Sequence, residues 1–219
     1  GHLTDRLVTL GFDVIVIDNE SADAHKKFHK NKKAEYHKLD INDYEKIEPL
    51  FSGVDFVFHL AAESRIGPCI ENPMMACKTN VIGTCNVLQA SRNNNIKRLV
   101  YSSTSACYGL TNVIPMHEDL KLDNLNPYST SKLAGEDLCN MYTKLYGLET
   151  ISLRYFNVFG ERMPESGQYA PVIAIFQRQI REGDVVTVVG DGLQQRDFVY
   201  VKDVVNANII AAQSESRFC

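Results

Sequence analysis

The chain has 219 residues, 44% hydrophobic and 23% charged, with a formal net charge of −4 at neutral pH. That length buries a sizeable core and fits one domain, or one with a smaller lobe, while the acidic balance argues against nucleic acid as the main partner. With no apolar run long enough to span a membrane, no signal-peptide pattern, no C-x-x-C pair and no clustered histidines, the expectation is a soluble, cytoplasmic protein with buried free thiols and no bound metal.

In chain order, "HLTDRLVTLG" (2–11) reads as a helix closed by Gly11, and "FDVIVID" (12–18) as a β-rich strand. The basic run "HKKFHKNKK" (25–33) reads as a solvated loop rather than a phosphate or RNA patch. A second, weaker strand follows at "YHKLD" (36–40), then a helix over 43–51. "DFVFHLAA" (55–62) and "RLVYSST" (98–104) are continuous apolar runs, as expected of strands covered on both faces, with a helix over 73–93 between them. Beyond them come a helix at 127–146, a strand "TISLRYF" (150–156), a helix at 171–182 and a strand "VVTVVG" (185–190). "MPESGQYAP" (163–171) interrupts the alternation as a functional loop or lobe junction. The pattern predicts an α/β fold: a doubly wound, Rossmann-like parallel sheet with a small C-terminal substrate lobe. Residues 1–162 would form the dinucleotide-binding domain, and 163–219 part of the lobe, interleaved with the sheet.

Asp18 ends a strand, which puts its carboxylate beside the binding crevice of such a sheet. There it can accept hydrogen bonds from the ribose hydroxyls of NAD and repel a 2′-phosphate, so NAD is favoured over NADP. The glycine-rich loop that cradles a pyrophosphate belongs between a first strand and its helix, yet the sequence starts at Gly1-His2-Leu3, inside that helix. Loss of a central strand would leave a costly gap, so the expectation is a sequence incomplete at its start. Its end, "IIAAQSESRFC", in or just past a helix, reads as cut too.

"NPYSTSK" (126–132) holds a tyrosine and a lysine four positions apart. Ten tyrosines and thirteen lysines give roughly 0.6 chance matches to that spacing, so the pair proves little alone. Asn126 suits a helix cap and Pro127 the first helical position, which puts Tyr128 in the first turn and Lys132 on the same face one turn later. Taken singly, Thr104 is a strand-end hydroxyl, Asn157 a turn residue and Arg196 a surface cation. His59 reads as a satisfied core histidine, and Tyr142, Tyr146 and Tyr200 as packing.

Several motifs nevertheless stand in order: "DN" (18–19), "LDI" (39–41), "HLAA" (59–62), "NVIGT" (80–84), "SSTSACYG" (102–109), "PYSTSK" (127–132), "LRYFNVFG" (153–160) and "GDGLQQRDFVYVKD" (190–203). Together they resemble the extended short-chain dehydrogenase/reductase superfamily and, within it, the nucleotide-sugar epimerases and dehydratases, most of all the 4-epimerases of UDP-glucose. The resemblance covers essentially the whole chain. It implies a tightly bound NAD, with Asp18 and Asn19 at the adenine ribose, Asp40 and Ile41 flanking the adenine, Leu60, Ala61 and Ala62 along the cofactor, Asn80 supporting the nicotinamide side and Tyr155 near the nicotinamide. Thr104, Tyr128 and Lys132 would be the catalytic trio, with Tyr128 and Lys132 also touching the cofactor. Asn157 and Arg196 would grip the phosphates of a UDP-sugar, with Gln168, Thr187 and Val189 as weaker contacts. A homodimer pairing the helices at 73–93 and 127–146 is implied as well.

A free tyrosine titrates near pH 10, and lowering that by about three units needs roughly 4 kcal/mol of preference for the phenolate. Lys132, the cationic nicotinamide and the helix start all act in that direction. The implied activity is a redox-neutral 4-epimerisation of UDP-glucose/UDP-galactose or an N-acetylated analogue. The alternatives are a 4,6-dehydratase or sugar-acid decarboxylase, and a non-catalytic dinucleotide sensor. Dehydratases of the family carry an Asp-Glu pair after the catalytic threonine, where this chain has Ser105 and Ala106.

Overall fold

The opening amphipathic stretch folds as α1 (His2–Thr9), and the run after Gly11 supplies β1 (Ile15–Ile17). β1 pairs with β2 (Glu35–His37) in parallel register: Glu35 N donates to Val14 O at 2.9 Å and Asp18 N to His37 O at 3.1 Å. A short α2 (Tyr44–Ile47), prolonged by a 3₁₀ turn at Glu48–Phe51, leads to β3 (Phe56–His59) and α3 (Ile66–Glu71). The expected helix over 73–93 is then built in three parts: α4 (Pro73–Cys77), a π-helical segment at Lys78–Gly83, and α5 (Thr84–Asn93). β4 (Arg98–Thr104), a 3₁₀ turn at Ser105–Tyr108, α6 (Pro127–Tyr146) and β5 (Thr150–Tyr155) follow. Beyond them lie β6 (Asn157–Phe159), α7 (Val172–Glu182), β7 (Phe198–Tyr200) and α8 (Val201–Gln213).

This computed structural model describes residues 1–22, 28–165 and 170–215. The chain divides into two units. The larger holds Ile15–Asn19, Tyr36–Tyr155 and the chain from Ala207; the smaller holds Gly1–Val14, Glu20–Glu35 and Phe156–Asn206.

In the larger unit β3, β4 and β5 form a parallel sheet in that order, with Phe56 opposite Arg98, Leu99 opposite Thr150 and Thr104 opposite Tyr155. β4 is buried along its whole length, as a strand with helices over both faces must be. Alternation sends Leu99 and Tyr101 into one core with Ile47, Val87, Leu88, Cys139 and Tyr142, and Val100 into another with Ile151, Ala211 and Ala212. α5 and α6 therefore cover one face and the end of α8 the other, the α/β, doubly wound, Rossmann-like arrangement that the sequence pattern predicts. α6 starts as its sequence dictates: Asn126 Oδ1 accepts from Ser129 N at 2.9 Å, and Pro127 fills the first position. It ends at Gly147 in the left-handed conformation, φ 74°. Midway, Gly135 lies against β4, where an added Cβ would meet the Tyr101 hydroxyl at 2.1 Å.

In the smaller unit β6 pairs in parallel with β7, with Phe159 packed on Phe198 and Tyr200. The expected strand "VVTVVG" (185–190) is not one: no strand is assigned there, and Val185, Val188 and Val189 are exposed. β-branched residues favour a strand only where a neighbour and a buried face exist, and among the described residues this run has neither.

Candidate active site

Thr104 ends β4, while Tyr128 and Lys132 stand one turn apart at the start of α6. Thr104, the last residue of that strand, accepts from Ala106 N at 3.1 Å, and its hydroxyl is near enough to Tyr128, presented by the first turn of α6, to favour the phenolate. One turn further, Lys132 is 3% exposed, with its ammonium 4.2 Å from the centre of the Tyr101 ring. Tyr101 is itself fixed by donating to Lys132 O at 3.2 Å.

Burial dominates the electrostatics. It pushes the Tyr128 phenol above its ordinary value, aided by the Cys69 and Cys107 thiols, while the bond from Thr104 and the charge of Arg65 pull the other way. The acidified phenol expected from the sequence is therefore not a property of the protein alone, because a buried phenolate loses its hydration. Burial likewise lowers Lys132 to about 8, against the opposing pull of Cys139 and Glu136. Its ammonium makes no hydrogen bond to the described residues, so its donors are unspent in a nearly dry position.

His59, at the end of β3, sits 2.8 Å from Thr84 Oγ1. That hydroxyl gives its proton to Asn80 O at 2.7 Å, so His59 Nε2 is the donor. Burial, and then the charge of Lys132, hold it down to about 3. It is a satisfied core histidine, as its sequence context suggests.

Asn80 differs from expectation in what it touches. The π-helical segment carries its side chain inward, where Oδ1 accepts from Glu63 N at 2.8 Å, and Nδ2 donates to Glu63 O at 3.0 Å and Ser131 Oγ at 2.9 Å. Ser131 in turn donates to Tyr128 O at 3.0 Å. Asn80 thus ties the loop after β3 to the first turn of α6, and its polar atoms are spent on protein. Tyr155 is similar: its hydroxyl meets Ser102 Oγ at 3.1 Å and the Asn208 amide at 2.7–2.9 Å.

The ends of β1 and β2 bring the other expected cofactor residues together. Asn19 Nδ2 donates to Asp40 Oδ2 at 3.0 Å, and Asp40 Oδ1 accepts from Asn42 N at 2.8 Å and Asn42 Nδ2 at 2.7 Å. Burial raises the Asp40 carboxyl, but these bonds and the charge of Lys78 outweigh it and hold it below the usual range. Asp18 is exposed beside Asn19, and Ile41 is buried where Gly83 lacks a Cβ that would meet it at 2.5 Å. Leu60 is exposed after β3, with Ala61 and Ala62 half-buried behind it.

Of the expected substrate residues, Thr104 lies in the larger unit, and Asn157, Thr187, Val189 and Arg196 in the smaller. Asn157 donates to Asp197 O at 2.8 Å, next to Arg196, whose guanidinium turns back onto Gln195 O at 2.7 Å. Thr187 is tied to α7 through Gln179, at 2.8 Å and 3.2 Å, and Val189 is exposed. Gln168 lies outside the described residues. No group of three or more potential metal ligands occurs among the described residues. No helix of the described chain is long and apolar enough to cross a membrane.

Sequence reasoning passed over Arg65, Ser103, Tyr108, Glu136 and Arg154. Glu136 accepts from Arg154 Nε at 3.0 Å and Nη2 at 2.7 Å, and from the Ser103 hydroxyl. The available signal was its position four residues after Lys132.

Carboxylates at the ends of β1 and β2, small residues after β3 and a buried ammonium with unspent donors together suit a dinucleotide. With a threonine, tyrosine and lysine at the end of the middle strand, they define an NAD-dependent α/β enzyme of the short-chain dehydrogenase/reductase type. The sequence model of the NAD dependent epimerase/dehydratase family matches residues 1–218. The chain belongs to that family. A putative UDP-glucose 4-epimerase of Methanocaldococcus jannaschii is 39% identical over 212 residues, 96% of this chain and 68% of that protein. The UDP-N-acetylglucosamine 4-epimerase of Methanobrevibacter ruminantium M1, solved with UDP-N-acetylmuramic acid, superposes with a TM-score of 0.93 at 34% identity, covering 99% of this chain and 70% of the other. The UDP-glucose 4-epimerase of Thermotoga maritima, solved with UDP-glucose, gives 0.91 at 36% identity, covering 96% and 68%.

Proposed function

We propose that the protein is a UDP-sugar 4-epimerase, acting on UDP-glucose and UDP-galactose or their N-acetylated analogues. The observation that carries this reading is the placement of Tyr128 in the first turn of α6, beside the β4-terminal Thr104 and one helical turn from the buried Lys132. The chemistry that bound NAD supplies is reversible two-electron oxidation at C4 of the sugar. Tyr128 takes the proton from the 4-hydroxyl, directly or through Thr104, and returns it when the opposite face of the 4-keto sugar is reduced. Lys132, still mostly charged at pH 7 with a value of about 8, favours the phenolate and offers donors to ribose hydroxyls. Asp18, Asn19 and Asp40 would hold the adenosine end, and Asn157 and Arg196 the phosphates. Ser105 and Ala106 supply no acid–base pair for eliminating water, which favours epimerase over dehydratase.

One observation favours a second reading. The charge of Arg65 favours the Tyr128 phenolate, and a guanidinium on that side would suit a sugar bearing a carboxylate, as a sugar-acid decarboxylase needs. Incubation with UDP-glucose, UDP-GlcNAc and UDP-glucuronate, followed by NMR, separates the readings. Inversion at C4 alone is the expected result. Loss of water or CO₂ moves the assignment to a dehydratase or decarboxylase, and bound NAD without turnover makes it a sensor. The same reading takes exposed Met74, Ile82 and Leu145 as the face on which two copies pair in the cytoplasm, and sedimentation at the mass of one chain would remove that part.

A further inference from the structure

Lys132 does not lie alone beneath α6. On the same helix, one turn on, Glu136 is 6% exposed, and its carboxylate receives Arg154 through two bonds from β5 and the Ser103 hydroxyl from β4, the residue before Thr104. Arg154 also donates to the Tyr108 hydroxyl at 3.0 Å and lies 5.1 Å from the centre of that ring. The groups acting on Lys132 are Tyr101 from β4, His59 from β3, and Cys139 and Glu136 on its own helix, with Tyr128 one turn before it. Burial pushes the Cys139 thiol up to about 12, raises both phenols and keeps His59 neutral, so at neutral pH none of these four carries charge. That leaves one buried carboxylate, Glu136, for two cations, the half-buried Arg154 and the buried Lys132.

We propose that Glu136 is a positioning residue whose carboxylate, held by Arg154 and Ser103 one helical turn from Lys132, sets the charge on Lys132 and so the pH window in which Tyr128 serves as base. A carboxylate one turn away in a low-dielectric interior favours the ammonium over the amine, and bidentate engagement by Arg154 limits how much of that field reaches it. An uncharged Lys132 gives the phenolate no electrostatic support, so the alkaline end of the working range follows the lysine. That consequence for turnover rests on the epimerase reading, whereas the effect on the lysine does not.

The test uses full-length protein with ¹⁵N-labelled lysine. The Lys132 amine, assigned by its loss in Lys132→Met, is followed through pH by NMR, beside kcat/KM profiles with the UDP-sugar. Glu136→Gln keeps acceptors for Arg154 and Ser103 but removes the charge. Its lysine midpoint is expected to fall by about one pH unit, with the alkaline limb of kcat/KM moving down equally. Arg154→Gln is expected to move both upward, a reversal of sign that a purely structural pair would not produce. If Arg154→Gln does not fold, Glu136→Gln decides alone. A midpoint that stays or rises in Glu136→Gln overturns the proposal even if no UDP-sugar tested is turned over, which keeps its failure separate from failure of the epimerase assignment.

Discussion

Arg154 and Lys132 are both cations held against α6, yet their surroundings differ in kind. Arg154 is bound by a bidentate carboxylate and a phenol, and the Glu136 carboxylate raises it further above its usual range despite the cost of burial. Lys132 lies against the face of an aromatic ring, makes no hydrogen bond to the described residues through its ammonium, and is lowered to about 8 by burial. A buried charge whose bonds are all made within the protein is part of the architecture. One left with unspent donors costs stability and is kept for a partner that arrives later.

Three substitutions would sharpen or break this contrast. Glu136→Ala removes the buried carboxylate that holds the half-buried Arg154 guanidinium, leaving it the Tyr108 hydroxyl, so a loss of roughly 3 kcal/mol or more in urea unfolding is expected. A loss below about 1 kcal/mol, typical of surface pairs, would place the Arg154 pair among solvated ones instead. Tyr128→Phe should do the reverse. Turnover is expected to fall roughly 10³-fold while NAD binding and the unfolding midpoint stay near wild type, and retained activity would exclude this phenol as the base.

Lys132→Met gives the smallest effect and the most specific signature. With a folded value of about 8 against 10.5 for the free side chain, the wild type bears the cost of a buried ammonium below pH 8, worth roughly 3 kcal/mol. Between 8 and 10.5 the unfolded chain holds more protons than the folded one, so this part of the stability is regained as pH rises. The variant should therefore be the more stable protein at pH 7, by up to about 3 kcal/mol, with its advantage gone near pH 10.5. An advantage independent of pH would show that packing, not charge, separates the two.

Much of this was legible before any coordinates. A seven-residue apolar run such as "RLVYSST" has few options beyond a central strand, and Asn126-Pro127 announces the start of α6. Tyr128 and Lys132 were legible through motif order rather than local chemistry. Their electrostatics were not, because the shifts come from burial, which the spacing of a tyrosine and a lysine does not encode. Glu136 was hidden for a similar reason: a glutamate in a helix is ordinarily solvated, and its arginine lies 18 residues further along the chain. "VVTVVG" misled because β-branched residues record a preference for a strand without supplying its neighbour.

The π-helical turn at Lys78–Gly83 left no trace in the apolar spacing, yet it imposes a condition of length. Deleting one residue there would restore ordinary winding and rotate Asn80 by about 100° relative to Thr84, carrying its amide away from Glu63 and Ser131. The count of residues between Pro73 and Thr84 is therefore as constrained as their identity, and insertions or deletions should be far less tolerated in this stretch than single replacements on its solvent side.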